Sequence, residues 1–340
     1  MSKRILYISV HSILEYDELC LFTEMGYEVF SLGAYTNPAG HYQLPRPSIP
    51  GMPYRPDLEE MSRNMPRTEL TWEFINHFDI IIVMDGHHAP DVLERNWPIF
   101  KDKRVIWRTI GQSLPGVEKR MNKLKREGML IVRYSPMEEN IDGYIGKNAL
   151  IRFYKDPDEF NNWNGNTRQV INFSQSLKGR RDFCGYDTLM KTGQGFPFKV
   201  YGSGNDNLGE FNGGELSYDA MKGAMRDCRV YLYGGTWPAS YTLSLIEAMM
   251  TGIPVVAVGT DMWKHKDNLS INYYEVPKII SNGDSGLLGY SVEELKAHIN
   301  KLMDDHEYAL NMGRKGRERA IQLFGKSLVK EQWKSFLGSL

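Results

Sequence analysis

The sequence predicts an α/β protein of two doubly wound, Rossmann-like domains facing a cleft, and three observations carry that prediction. The 340 residues are too many for one comfortable core and suit two domains of ~150–180 residues each. Arg4 to Gly33 reads strand, loop, helix, strand, a βαβ unit that starts a parallel sheet. A polar, turn-rich stretch (YKDPDEFNNWNGN, 154–166) then breaks the chain, and the same rhythm restarts at Gln169–Phe173. The expected division is an N-terminal domain at 1–157, a C-terminal domain at 158–325, and a helix at 326–340 crossing back to the first domain.

In order, Arg4–Val10 is an apolar, β-rich run. Leu14, Leu19, Leu21, Phe22 and Met25 form a helical stripe that ends at Gly26, a suitable C-cap. Tyr27–Leu32 returns as a strand. A Pro-rich, aromatic stretch from Thr36 to Arg67 has little periodicity, and a long loop of that kind in a compact domain points to function, here lining an acceptor cleft. Thr71–His77 reads as helix, and Asp79–Met84 (DIIIVM) as a strand buried on both faces. Arg104–Trp107 and Met129–Tyr134 are further short strands. The second half offers strands at Phe198–Tyr201, Arg229–Tyr233 and Pro254–Val258, each paired with a helical segment. Its tail is helix-rich, opening at Ser291 as N-cap with Glu294 three residues on, a capping box.

Composition is that of an ordinary folded chain: 41% hydrophobic, 24% charged, net charge −1. Three scattered cysteines without a CxxC pair fit buried thiols in a reducing compartment. MSKRILYISV has too short an apolar run for a signal peptide and reads as a first strand. No run approaches the ~18–20 apolar residues of a membrane span. The expectation is a cytoplasmic protein, in the host cytoplasm if phage-encoded. Residues 101–129 carry nine Lys or Arg against three Asp or Glu. Leu114, Val117, Met121 and Leu124 stand there at helical spacing, with Lys119, Arg120 and Lys123 on the other side. Such a helix fits plain packing with solvated charges, contact with an anionic membrane surface, or contact with nucleic-acid phosphates.

The most informative segment is Arg229–Gly259, RVYLYGGTWPASYTLSLIEAMMTGIPVVAVG. A strand runs through a Gly-containing loop and a small-residue turn into a helix beginning at Leu243. The amides of Tyr241, Thr242 and Leu243 then lack intrahelical partners, and the helix dipole adds positive potential, so an anion belongs at that end. Glu247 lies one turn in, on the face of Leu243, within reach of a ribose hydroxyl.

This segment resembles the C-terminal signature of retaining glycosyltransferases of family four. Leu243, Glu247, Ala248, Gly252, Pro254, Val255 and Val256 match its pattern in register. IRFYKDPDEF (151–160), VYGSGN (200–205), YDAMKGAMRDCRVYLY (218–233) and EYDELCLFTEMGYEVFSLG (15–33) resemble further family stretches in the family's order. Together they cover roughly two-thirds of the chain. The resemblance implies the GT-B fold, a nucleotide-sugar donor such as UDP-glucose, transfer to an acceptor hydroxyl with retention, and no bound metal or other cofactor. It also implies a donor set of His11, Ser12, Ser174, Lys178, Arg180, Tyr201, Gly202, Ser203, Ser240, Tyr241, Thr242, Leu243 and Glu247. Lys178 followed by Gly179 matches the family's Lys-Gly, whose cation meets the leaving diphosphate, and Arg180 or Arg181 stands in for an arginine replaced by Phe173. Ala239 occupies the place of the family's first motif glutamate. Asp85, His87 and His88, just past the DIIIVM strand, are the catalytic candidates on the acceptor side.

The acceptor stays open. Bacteriophage DNA glycosyltransferases share the implied fold and modify hydroxymethylated pyrimidines, flipping the base out of the duplex. The aromatic loop 41–54 and the phosphate-binding candidates Lys119, Arg120 and Lys123 would serve double-stranded DNA. A polysaccharide, a lipid met without membrane insertion, or a small molecule are alternatives. So are a nucleotide-sugar 2-epimerase, which needs a second cleft carboxylate for which Glu18 is the candidate beside Asp85, and a non-catalytic nucleotide-sugar-binding protein.

Overall fold

The computed structural model describes residues 3–33, 48–111, 114–263 and 273–340. Residues 41–47 of the aromatic loop lie outside them. The chain forms two compact units, Met1–Phe153 with Val329–Leu340, and Tyr154–Leu328.

Unit 1 carries six parallel strands, β1 (Arg4–Ser9), β2 (Glu28–Ser31), β3 (Ile80–Met84), β4 (Arg104–Arg108), β5 (Leu130–Arg133) and β6 (Ala149–Leu150), in the order β2-β1-β3-β4-β5-β6. Its helices are α1 (Ser12–Glu24), α2 (Pro56–Ser62), α3 (Trp72–Ile75), α4 (Ala89–Phe100) and α5 (Pro115–Arg126). Every residue of β3 is buried, as an interior parallel strand requires. On α1 the buried set includes Glu15 and Glu18 beside Leu14, Leu19, Leu21 and Phe22, so the apolar stripe expected there is interrupted by two buried acids. Val117, Met121 and Leu124 of α5 are buried as their spacing predicts, while Leu114 is the half-buried N-cap. Trp333, from the C-terminal segment of this unit, packs edge-on against Phe22 at 5.0 Å.

Unit 2 carries β7 (Thr167–Phe173), β8 (Phe198–Tyr201), β9 (Asn212–Gly214), β10 (Cys228–Tyr233), β11 (Val255–Val258) and β12 (Leu287–Gly289), again all parallel, in the order β12-β11-β10-β7-β8-β9. Its helices are α6 (Arg181–Cys184), α7 (Tyr186–Gly193), α8 (Tyr218–Asp227), α9 (Leu243–Thr251), α10 (Val276–Ile279), α11 (Val292–Asp304) and α12 (His306–Phe324); α13 (Lys326–Gly338) follows. Helix α9 ends where Gly252 adopts the left-handed conformation (φ 95°), which returns the chain toward β11. Ser291 caps α11 by accepting from the Glu294 amide, but the Glu294 carboxylate accepts from Tyr290 rather than from the cap itself, so the reciprocal box is shifted by one residue.

Candidate functional site

In a parallel sheet, neighbouring strands end at the same edge, so loops after adjacent strands meet. In unit 2 the neighbours are β10, β7 and β8, and their loops are tied together. The Ser174 amide donates to Tyr201 O (3.0 Å) and the Ser176 amide to Ser203 O (2.7 Å). Asn205, buried, clasps both loops: its amide nitrogen donates to Ser174 O (2.6 Å) and Gly202 O (2.9 Å), and its oxygen accepts from Leu177 N (2.9 Å). Gly202 has φ 136°, and an added Cβ would stand 2.6 Å from Ser174 O, so the close approach of the two loops requires glycine. On the other side, Trp237 N donates to Phe183 O (2.7 Å), and Cys184 Sγ lies 3.9 Å from Thr236 Oγ1. The Lys178–Arg180 segment is therefore flanked by both partner loops.

Lys178 and Arg180 are exposed and, among the described residues, have no carboxylate partner. Arg181, the other candidate in that turn, is bound to Asp187 at 2.6 and 2.9 Å. Of the two arginines considered for the turn, Arg180 is the one without a carboxylate partner among the described residues.

The loop that bonds Phe183 through Trp237 leads into helix α9. Thr242 is its N-cap in extended conformation, with no side-chain capping bond and no acid in the first turn. Its hydroxyl instead lies 3.0 Å from Ser244 Oγ. The first-turn amides, from Leu243 on, have no intrahelical acceptor, and nothing anionic on the first turn offsets the dipole. Ser240 is fully buried, and the Tyr241 ring turns inward against Phe324 at 5.2 Å, which leaves that stretch to act through its backbone. Two tyrosines of β10 that the sequence did not single out sit below the cap. The Tyr233 hydroxyl is beside Thr242 and the Tyr231 hydroxyl beside Ser244, and burial pushes both phenols well above their ordinary range. Tyr201, expected at the donor, stacks on Phe173 (5.6 Å), which stacks on Tyr231 (6.2 Å); it belongs to an aromatic row on the sheet. Glu247 is buried, with Oε1 2.9 Å from Nζ of Lys155, a partner that sequence reasoning missed.

In unit 1, β1 and β3 are adjacent, with Ser9 opposite Met84, so His11 and Ser12 share a sheet edge with Asp85, His87 and His88. His11 caps α1: its Nδ1 accepts from Leu14 N (3.3 Å), and its own amide donates to Ser9 Oγ (3.0 Å). Ser12 is the buried first residue of α1. Asp85 is buried, accepts from His88 N at 3.2 Å, and has its pKa raised by burial, with the His88 amide and the charges of His88 and His87 opposing. His87 and His88 are exposed. Glu18, the candidate second carboxylate, lies in the core: Arg108 Nε donates to its Oε1 (2.9 Å) and the Tyr7 hydroxyl to its Oε2 (2.5 Å).

The basic stretch is far less cationic than its composition suggests. Arg120, a phosphate-binding candidate, is held by Asp91 (2.7 Å) and Glu94 (2.6 Å) of α4. Lys125 donates to Ile145 O. Arg133 is buried in a two-bond pair with buried Glu118 (2.6 and 2.8 Å). Lys119 and Lys123 remain exposed, Lys123 with Glu127 at 3.9 Å. Among the described residues, no group of three or more His, Cys, Asp or Glu side chains could hold a metal ion, and no helix is long and apolar enough to cross a membrane.

No family model and no curated protein matches the sequence. Solved structures do match in fold. Sucrose-phosphate synthase from Thermosynechococcus elongatus superposes with a TM-score of 0.69 at 14% identity, covering 99% of this chain and 98% of that one. Anabaena Alr3699/HepE in complex with UDP and glucose gives 0.69 at 14% identity, covering 99% and 100%. An alpha-glucosyltransferase in complex with UDP and a 13-mer DNA containing an HMU base gives 0.59 at 12% identity, covering 99% and 100%. The chain thus has the α/β fold of the GT-B glycosyltransferases, with its two parallel six-stranded sheets.

Proposed function

We propose that this protein is a glycosyltransferase that moves a sugar from a UDP-sugar to an acceptor hydroxyl with retention of configuration. One observation carries the reading: the loop that leads into an uncapped helix N-terminus in unit 2 is bonded, through Trp237 N and Phe183 O, to the segment that follows two exposed cations, Lys178 and Arg180, which have no carboxylate partner among the described residues. A departing nucleoside diphosphate gains negative charge as its bond to the sugar breaks. Fixed N–H donors and cations that need no rearrangement stabilise that charge most effectively. The similar structures solved with UDP support the choice of nucleotide.

In this reading the α9 amides and Lys178 with Arg180 take the diphosphate, and Glu247 takes a ribose hydroxyl. The bond from C1 to the diphosphate oxygen breaks as the acceptor oxygen bonds to C1 on the same face. The acceptor proton passes to the departing phosphate oxygen. Asp85 is assigned to the acceptor side in unit 1. Lys178 and Arg180 supply the positive charge, so no resident metal is invoked, and the enzyme works in the cytoplasm where nucleotide sugars are made. The epimerase reading loses support because Glu18 is committed to Arg108 and Tyr7.

Hydroxymethylpyrimidine DNA is the acceptor this reading places first, supported by the likeness to a glucosyltransferase solved with HMU-containing DNA. The test is incubation with radiolabelled UDP-glucose and a panel of hydroxymethyluracil DNA, hydroxymethylcytosine DNA, unmodified DNA, lipid and glycan acceptors. Label in modified DNA alone supports that acceptor, and label in lipid or glycan reassigns it. Absence of both transfer and donor hydrolysis across a panel of nucleotide sugars counts against the enzyme reading.

A further inference from the structure

Among the described residues, the Lys155–Glu247 pair is the most deeply buried charge pair of unit 2, with side-chain exposures of 2% and 7% at a separation of 2.9 Å. A buried ion pair adds little net stability over apolar packing, so its presence calls for another reason. Its surroundings are built to hold the lysine still. The Lys155 amide donates to Phe324 O (3.0 Å), and Arg317 of α12 bonds the carbonyls of Pro157 (2.8 Å), Phe160 and Met250, strapping the segment after Lys155 to the end of α9. The Lys155 ammonium also stands 5.6 Å from the Phe160 ring centre. Phe324, which anchors the Lys155 backbone, packs on Tyr241 immediately before the α9 cap. Backbone, side chain and cap therefore belong to one packed layer that ends at the uncapped helix start.

Glu247 lies one turn into α9 on the face of Leu243, and helical side chains lean toward the N-terminus. Lys155 meets one carboxylate oxygen, and among the described residues no second donor is bonded to that carboxylate. An ionised carboxylate fixed in one orientation is an acceptor for the paired hydroxyls of a ribose. We propose that Lys155 is a positioning residue for the nucleotide: it fixes the Glu247 carboxylate so that its other oxygen receives the ribose hydroxyls. The inference rests on the UDP reading above and deepens it, because it assigns ribose recognition to a residue outside the α9 signature.

The test is calorimetric binding of UDP and of 2′,3′-dideoxyuridine diphosphate to the full chain and to Lys155→Met, Glu247→Gln and the double variant. The double variant leaves neither charge alone in the interior, and thermal melts check folding. The wild type is expected to prefer UDP over the dideoxy analogue by roughly ten- to a hundredfold, the worth of a hydrogen bond to a charged group. Lys155→Met is expected to erase that preference while its affinity for the analogue stays within about threefold. The double variant is expected to be no worse for UDP than either single variant. Equal weakening toward both nucleotides, or a retained preference, overturns the positioning role and leaves the UDP reading intact. Failure of the wild type to bind either nucleotide overturns the UDP reading itself, and the inference with it.

Discussion

Lys178 and Arg180 in unit 2 and Arg120 in unit 1 all belong to segments that a charge count marks as basic, yet the structure uses them in opposite ways. Arg120 is spent on Asp91 and Glu94, and Arg108 and Arg133, at the ends of β4 and β5, are locked to Glu18 and Glu118 in the core. The cations of the unit 2 turn stay exposed, with no carboxylate partner among the described residues, in a loop whose following segment is bonded to the loop that leads into an uncapped helix start. A local charge excess does not mark an anion site; unspent cations beside unspent backbone donors do.

The strongest way to break the contrast is Lys178→Ala/Arg180→Ala. Losing two charge-assisted contacts to the diphosphate should cut turnover by about a thousandfold or more with little change in stability, read from steady-state kinetics beside a thermal melt. The converse holds for Arg133→Met, which leaves Glu118 buried and unpaired. It should destabilise the fold by roughly 3–5 kcal/mol in urea unfolding, and a loss below about 1 kcal/mol would show that the buried pair is dispensable.

Gly202→Ala sharpens the role of the loop clasp. It forces a side chain into a left-handed backbone and against Ser174 O, so it should weaken UDP binding and cost about 1–3 kcal/mol. Asp85 gives a pH test. Its folded pKa is raised by burial, so the native state holds this proton more tightly than the unfolded chain does. Its contribution is then most favourable below the unfolded value and is lost as pH rises through the folded one. Asp85→Asn should therefore melt higher than wild type at neutral pH, and the gap should close in acid; a lower neutral melt contradicts the assignment. Arg120→Ala closes the series with the smallest effect, ~0–1 kcal/mol in stability and unchanged donor turnover.

What could be read in the chain beforehand was what neighbouring residues decide together. The run at Ile80–Met84 announces a buried strand, the PASYTL turn into Leu243 announces a helix start, and the restart after Asn166 announces a second sheet. Contacts between residues far apart in sequence stayed hidden. Nothing local links Lys155 to Glu247, Asn205 to the loop after β7, or Arg120 to the acids of α4. The apolar stripe read on α1 does not foretell that Glu15 and Glu18 are buried beside it, where Ser31 and Arg108 donate to them. The edge strands β6, β9 and β12 have two or three residues each, too few for a period-two pattern.

The central claim, that the turn at Lys178–Arg180 and the start of α9 hold a nucleoside diphosphate, is tested most directly by titrating UDP into the wild type and into Lys178→Ala/Arg180→Ala at two salt concentrations. The account predicts saturable binding by the wild type that weakens with salt, and a loss of about a hundredfold or more in the double variant. Equal affinities for the two proteins, or a wild type that does not bind UDP, would contradict it.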